Sequence, residues 1–288
     1  MNGRARAIVI GSGFGGLAAA VRLGARGYQV TVLEKLDKPG GRAYVFEQDG
    51  FTFDAGPTIV TAPFLLEELW ELCGRKMADD IDLRAINPFY RIRFDDGSHF
   101  DYSGDDEAMK AEIARFNPDD VAGYERFLKA SSMLYDIGFD QLLTESFDSF
   151  GKMTRVLPRL LRSQFYRSVY SLVARYIKHP KLKMVFSFHP LLVGGNPFTS
   201  SSIYTLIHYL ERNWGVFFVQ GGTGALVQAL VRLFEELGGE VRLNDPVERI
   251  HTSGGRVTGV TTAGGWHGDF DAVASNADVV HTYASLLD

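Results

Sequence analysis

Ala7-Ile8-Val9-Ile10-Gly11-Ser12-Gly13-Phe14-Gly15-Gly16 opens the chain with a short apolar strand that runs into a glycine-rich turn. An Ala- and Leu-rich helix is predicted to about Gly27, then a second strand, Gln29 to Leu33, ending in Glu34. Strand, G-x-G-x-x-G, helix, strand and acid in that order predict a dinucleotide-binding βαβ unit. Gly11 permits the tight turn, Gly13 lets backbone approach a pyrophosphate, and Gly16 lets the helix pack close to the strand. The first helical amides then face the phosphates. Glu34 stands 23 residues beyond Gly11, where its carboxylate can accept hydrogen bonds from a ribose diol. A glycine-rich turn with no ligand is the competing reading. Strands, helix and acid falling in register argue against it.

Working outward, the next loop separates flavin from nicotinamide. Lys38-Pro39-Gly40-Gly41-Arg42 combines a glycine pair, which lets backbone approach a flat ring or a phosphate, with a guanidinium that forks onto anions. It follows the ribose acid, where FAD bends across its pyrophosphate. Phe53-Asp54-Ala55-Gly56-Pro57 lies just downstream. Together these segments predict FAD.

Composition narrows the class. The 288 residues are 45% apolar and 23% charged, ordinary values for a globular protein with a sizeable core. A net charge of −5 gives no case for a nucleic-acid partner. Cys73 is the single cysteine, so no intramolecular disulfide and no CxxC metal site exist, and a reducing, cytoplasmic compartment fits. The apolar N-terminus is interrupted by Arg22 and Arg26 and leads into Glu34-Lys35, which is not a cleavable signal. No uninterrupted apolar run reaches the ~18 residues a membrane span needs. The chain reads as neither secreted nor integral.

The middle of the chain is polarised. Residues 95–148 carry fourteen acids against four bases, whereas 152–183 carry nine Lys or Arg and no acid. Val156, Leu160, Leu161, Phe165, Tyr166, Val169, Tyr170, Leu172 and Val173 recur at helical spacing within that basic stretch. One reading is a helical domain with a solvated basic face. The other is a helix lying on anionic lipid. Before it, Tyr90 to Phe94 and His99 to Tyr102 flank Asp95-Asp96-Gly97-Ser98, a hairpin by its turn chemistry. After it, Gly221-Gly222-Thr223-Gly224 leads into a helix from Ala225 to Leu237. The strand Glu240 to Leu243, Val247-Glu248-Arg249-Ile250, a glycine-punctuated hairpin and a last strand, Phe270 to Ala274, follow.

The fingerprint, Glu34-Lys35, Lys38-Pro39-Gly40-Gly41-Arg42 and Phe53-Asp54-Ala55-Gly56-Pro57 together resemble the amine oxidase/carotenoid desaturase superfamily. Three longer segments narrow this. Phe186-Ser187-Phe188-His189-Pro190-Leu191-Leu192-Val193-Gly194-Gly195-Asn196-Pro197-Phe198 with Ser201-Ser202-Ile203-Tyr204 resembles the bacterial phytoene desaturases. So do Gly221-Gly222-Thr223-Gly224-Ala225-Leu226-Val227 and Ala274-Ser275-Asn276-Ala277-Asp278. The resemblance runs over essentially all of the chain.

That resemblance implies an FAD-dependent desaturase introducing double bonds into phytoene on the way to lycopene, with hydride passing to flavin N5 and a proton lost. It places adenosine and pyrophosphate on Gly11, Gly13, Gly16 and Glu34. Gly41 and Arg42 would run along the flavin, Gly56 and Pro57 near its ring, and the Val247 backbone beside the adenine. It implies a lipid-soluble carotenoid substrate, peripheral attachment to a membrane surface, and quinone or oxygen as electron acceptor. The family also has a C-terminal glycine-rich segment that closes the flavin site. Its absence makes the chain read as an N-terminal portion.

The expected architecture is α/β: a Rossmann-like FAD-binding domain, 1–85 and 216–288, with a largely helical substrate domain inserted at 86–215. An apolar channel would be walled by residues such as Phe186, Phe188, Leu191, Leu192, Phe198, Tyr204, Leu206 and Tyr209, though each of them taken alone reads more readily as helical core. His189, His208, Asp136, Asp140 and Glu145 are candidate proton acceptors with nothing in the spacing to choose among them, and no catalytic residue is assigned. Three alternatives stay open: another carotenoid desaturase or isomerase, an inactive fragment, and a non-catalytic binder of hydrophobic partners, whose usual loss of the flavin fingerprint is not seen here.

Overall fold

β1 (Arg6–Ile10) is the strand on which the nucleotide-type fold is built. In the computed structural model, which describes residues 4–141, 154, 157, 158 and 161–287, Ala7, Ile8 and Val9 are fully buried. Burial on both faces is what a central parallel strand requires. β1 lies between β2 (Gln29–Leu33) and the strand Ala272–Ser275, and β2 pairs in turn with Glu240–Arg242. All three pairings are parallel.

Successive side chains on a strand point to opposite faces, so β1 feeds two cores. Ala7 and Val9 pack with Leu17, Ala20 and Val21 of helix α1 (Phe14–Ala25) and with Leu230 and Phe234 of the helix Gly222–Glu236. Ile8 and Ile10 pack instead with Ile250 and Val260 of a three-stranded antiparallel sheet, Val247–Ser253, Arg256–Thr262 and His267–Asp269. Each fully buried Ile or Val contributes about 1.5–3 kcal/mol, so these four adjacent side chains tie both layers to one strand. The α/β class expected from the sequence is the one observed. Two details differ: the second helix begins at Gly222 rather than Ala225, and helical turns over Val279–Leu286 follow the last strand.

The chain partitions into two units, Met1–Arg84 with Phe217–Asp288, and Ala85–Val216. The second unit opens on the expected hairpin, Tyr90–Arg93 and His99–Tyr102, in which Arg91 forks onto Asp101 across the strands at 2.7 Å for each bond. Its core is aromatic. Phe100 and Tyr102 of the hairpin meet Tyr124 and Phe127 of the helix Val121–Tyr135 and Phe186 of the helix Pro180–Ser187. Phe186 stacks on Tyr124 at 5.1 Å between ring centres.

The residues at helical spacing within 152–183 do not form one continuous helix. Val156 and Leu160 lie outside the described residues. Gln164 takes a φ of +63°, which ends the preceding helical turn. Ser168 then caps a new short helix, Val169–Val173, its Oγ accepting from the Ser171 amide at 3.2 Å. Val169 and Val173 are buried in the aromatic core, and Leu172 is buried beside them in sequence. The helical periodicity of those residues marks an internal face, not a lipid-facing one. Among the described residues no helix is long and apolar enough to cross a membrane.

Asp120 locks this unit. Almost fully buried, its carboxylate accepts from the backbone amides of Lys178 at 2.7 Å and His179 at 2.8 Å. It thereby ties the start of one helix to the approach of another. Removing a buried acceptor leaves donors unsatisfied at a cost of about 1–3 kcal/mol each. Asp120→Ala is expected to lower the melting temperature by several degrees, read by circular dichroism. An unchanged melting curve would show that water replaces the carboxylate freely.

Candidate cofactor site

The turn after β1 is shaped by close backbone approach. Gly11 has a φ of +91°, which L side chains rarely adopt, and its amide donates to the carbonyl of Leu33 at 2.8 Å. A Cβ on Gly16 would be driven into the Gly11 carbonyl. The second loop packs on the first: Gly40 N donates to Ser12 O at 3.1 Å, and a Cβ on Gly41 would lie 3.2 Å from Gly13 Cα. A Cβ on Gly56 would collide with the Arg42 carbonyl. Gly11, Gly13, Gly16, Gly41, Arg42 and Gly56 thus form one cradle. The Arg42 side chain is exposed and makes no ion pair or hydrogen bond with a described residue.

Glu34 closes the cradle from the end of β2. It is 4% exposed, and one carboxylate oxygen accepts from Ser12 N at 2.7 Å and from Ser12 Oγ at 2.6 Å. The other accepts from Leu36 N at 3.0 Å. A carboxylate has about four acceptor positions, so one remains unused among the described residues. Glu34 therefore also fixes the turn, through Ser12, to which the fingerprint assigned no role.

Two glycine-led helices begin in this unit, and they differ at their first turns. The helix Gly222–Glu236 receives the carboxylate of Asp54, which accepts from Thr223 N at 3.3 Å and Gly224 N at 3.4 Å. Thr223 Oγ1 donates to the carbonyl of Pro57, so the Pro57 backbone serves to dock this helix. α1 has no side-chain cap and no acid in its first turn. Its amides and positive dipole end are left for an anion. Open helix end, glycine cradle and unpaired Arg42 fit a dinucleotide pyrophosphate.

Asn276 is the residue sequence reasoning missed. Its backbone amide donates to Ile10 O at 2.8 Å. Its carboxamide crosses the loop, 3.0 Å from where a Cβ on Gly13 would be and 2.6 Å from one on Gly15. The strand it terminates runs beside β1 on the side away from β2, at the switch point where such sheets bind ligands. A polar residue directly after the last apolar strand was the available signal. Val247 is not brought into the cradle by any described contact. It packs with the β1 core and lines a cavity of about 660 Å³ with Glu248, Arg249, His251 and Thr261, among others. Its link to the cradle runs two residues upstream, where Asp245 N donates to Glu34 O at 2.9 Å.

In the second unit, His189 and His208 fall in one buried network. Glu211, fully buried, accepts from Tyr90 OH at 2.6 Å and pairs with His189 Nε2 at 3.2 Å. Tyr102 OH bonds His208 Nδ1. Burial holds His208 well below the usual histidine range, aided by neighbouring His189 and Arg212. Asp136 is exposed, while Glu145 and the Asp140 side chain lie outside the described residues. Among the described residues no group of three or more His, Cys, Asp or Glu could hold a metal ion.

Comparison with known proteins agrees with this geometry. The family described as flavin containing amine oxidoreductase matches residues 14–287, and the chain belongs to it. FAD is the cofactor that this membership and the cradle together define. The chain is 53% identical over 282 residues, 98% of its length, to the lycopene-forming phytoene desaturase of Pseudescherichia vulneris. It is 53% identical over 279 residues, 97% of its length, to that of Pantoea ananas. It spans 57% of the length of each of these relatives. Putrescine oxidase with bound putrescine shares the fold, with a TM-score of 0.66 at 19% identity over 99% of this chain and 60% of that one.

Two outcomes test the site and its surroundings. Gly16→Ala is expected to abolish flavin retention and to lower stability by about 1–3 kcal/mol through overpacking. Arg42→Ala should weaken FAD binding about tenfold or more, the worth of a charge-assisted hydrogen bond, with the melting curve unchanged. Equal retention by Arg42→Ala would remove that residue from the site. The folded chain also refuses a proton at His208 that the unfolded chain accepts. Stability should therefore fall as pH drops below roughly 6.5, and His208→Gln should flatten that decline; an unaltered slope would exclude His208 as its source.

Proposed function

We propose that the chain forms the FAD-binding and substrate-contacting portion of a phytoene desaturase, acting in the conversion of phytoene toward lycopene in carotenoid biosynthesis. The observation that carries this reading is the identity to lycopene-forming desaturases, sustained at 53% over nearly the whole chain, on top of an intact cradle. In this reading the FAD-binding domain is 1–85 with 216–288, and 86–215 is the substrate domain.

Bound FAD supplies the two-electron acceptor for removing hydrogen from adjacent carbons. The chain's residues bind and orient. Gly11, Gly13, Gly16 and the α1 amides would receive the pyrophosphate, with Arg42 adding a cation. Glu34 would accept from the ribose, and the Val247 backbone would meet the adenine. Gly41, Gly56 and Pro57 would border the flavin. A hydrocarbon substrate offers no polar handle, so its recognition must be apolar. Its solubility places the enzyme at a membrane surface, attached peripherally from the cytoplasmic side, with a quinone or oxygen taking the electrons.

Reconstitution with FAD followed by removal of free cofactor tests the first half of this reading. Flavin absorbance near one equivalent per chain is expected, and its absence would overturn cofactor binding by this polypeptide. Turnover is tested by adding phytoene in liposomes with a quinone or with oxygen and resolving the pigments by chromatography. Coloured polyenes ending in lycopene are expected. Conversion of a different carotenoid, with phytoene untouched, would replace the substrate.

A further inference from the structure

The hairpin Val45–Gln48 and Phe51–Asp54 grows directly out of the cofactor cradle. Its first strand follows Gly41-Arg42-Ala43, and its second leads into Ala55-Gly56-Pro57. No third strand joins it among the described residues. Val45 stands opposite Asp54, Phe46 opposite Phe53, Glu47 opposite Thr52 and Gln48 opposite Phe51. Paired residues share a face and neighbours along a strand alternate, so this register sorts the side chains into two sets.

Val45, Glu47, Thr52 and Asp54 form the set on the side of the helix Gly222–Glu236. A Val45 methyl lies 2.7 Å from where a Cβ on Gly224 would be, and the Asp54 carboxylate caps that helix. The other set is Phe46, Gln48, Phe51 and Phe53, and Tyr44 continues its row at the cradle end. Phe46 is 57% exposed, Phe51 67% and Phe53 54%. The Tyr44 and Phe46 rings are 4.9 Å apart, and those of Phe51 and Phe53 6.4 Å. The Tyr44 hydroxyl donates to Asp37 at 2.7 Å, which satisfies its polar end and leaves its ring to the row. No residue of this face carries a charge, since the strands' two acids, Glu47 and Asp54, belong to the opposite set.

We propose that this aromatic face carries the hydrocarbon chain of the substrate toward the flavin, with Phe46, Phe51 and Phe53 as substrate-contacting residues. The inference rests on the desaturase reading above. A ligand without polar atoms needs an apolar surface and no hydrogen-bond partner, and the uncharged row of rings is such a surface. Four residues at ~3.3 Å each make a track about 13 Å long. It leads from the outer turn at Asp49-Gly50 to the Gly41-Arg42 and Gly56-Pro57 loops assigned to the flavin. Three rings at these exposures offer roughly 300–400 Å², whereas a stable protein interface buries about 800 Å² per partner. The face is too small to hold a second copy and wide enough for one linear hydrocarbon.

Titration with carotenoids in detergent micelles tests it. Phe53→Trp sets an indole in the row, and lycopene is expected to quench its fluorescence beyond the quenching seen in wild type, whose Trp70, Trp214 and Trp266 lie off the hairpin. The combined variant F46S/F51S/F53S should retain FAD as wild type does and take up radiolabelled phytoene at least tenfold more weakly. Uptake by wild type that the serine variant matches, with no added quenching at residue 53, would overturn the hairpin while sparing the desaturase reading. A wild type that retains FAD but takes up neither phytoene nor lycopene would overturn both. Self-association of wild type that the serine variant abolishes, with phytoene uptake unchanged, would make the face a contact between copies and overturn the substrate assignment.

Discussion

The absence of a side chain at residue 16 is the constraint from which the cofactor site follows. Because a Cβ there would enter the Gly11 carbonyl, α1 can start only if this position is glycine. That start sets the rest. It brings the first amides of α1 against the loop, lets Gly41 ride on Gly13, and leaves room for Asn276 to lie across Gly15. Each contact is between backbones or short side chains, so none can be recovered by a rotamer change. The site is rigid because its parts are too small to rearrange.

Two helices in the same unit begin with glycine-rich turns, yet only one is open to a ligand. Asp54 occupies the end of Gly222–Glu236, as an acid at a helix N-terminus should. The cost of orphan amides is met there from within the chain. At α1 no acid stands in the first turn; the Glu34 carboxylate, at the end of β2, is turned toward Ser12 and Leu36. A negative side chain facing α1 would compete with phosphate. The neutral serine between the two glycines instead lets Glu34 sit close without facing the helix end.

How far this was legible in sequence depends on the range of the interactions. β1, α1, β2 and Glu34 were readable because the glycine spacing and the apolar run are local consequences of close approach and two-sided burial. Asn276 was not, since it reaches the loop only through a strand pairing some 265 residues apart in the chain. The helical periodicity near 169–173 left two readings open for a related reason. Periodicity reports that one face is apolar but not what that face meets, and here it meets Phe186 and its neighbours rather than lipid. A positive φ at Gln164 is a break that no propensity rule assigns to glutamine.

The buried histidine network shows where sequence resemblance and physical role part company. His189 and His208 lie in and near the segments that carry the family resemblance, which raises a catalytic reading. Their surroundings favour another. His208 is enclosed, held neutral by burial and bonded to Tyr102, while Glu211 holds His189 and Tyr90 together. A proton acceptor must meet its substrate within hydrogen-bond reach, and groups with no exposed surface cannot do so without the core opening. What the network does in this conformation is anchor the Phe188–Pro190 turn, from which Leu191, Leu192 and Val193 project into solvent. Polar groups inside the unit thus fix the apolar ones outside it.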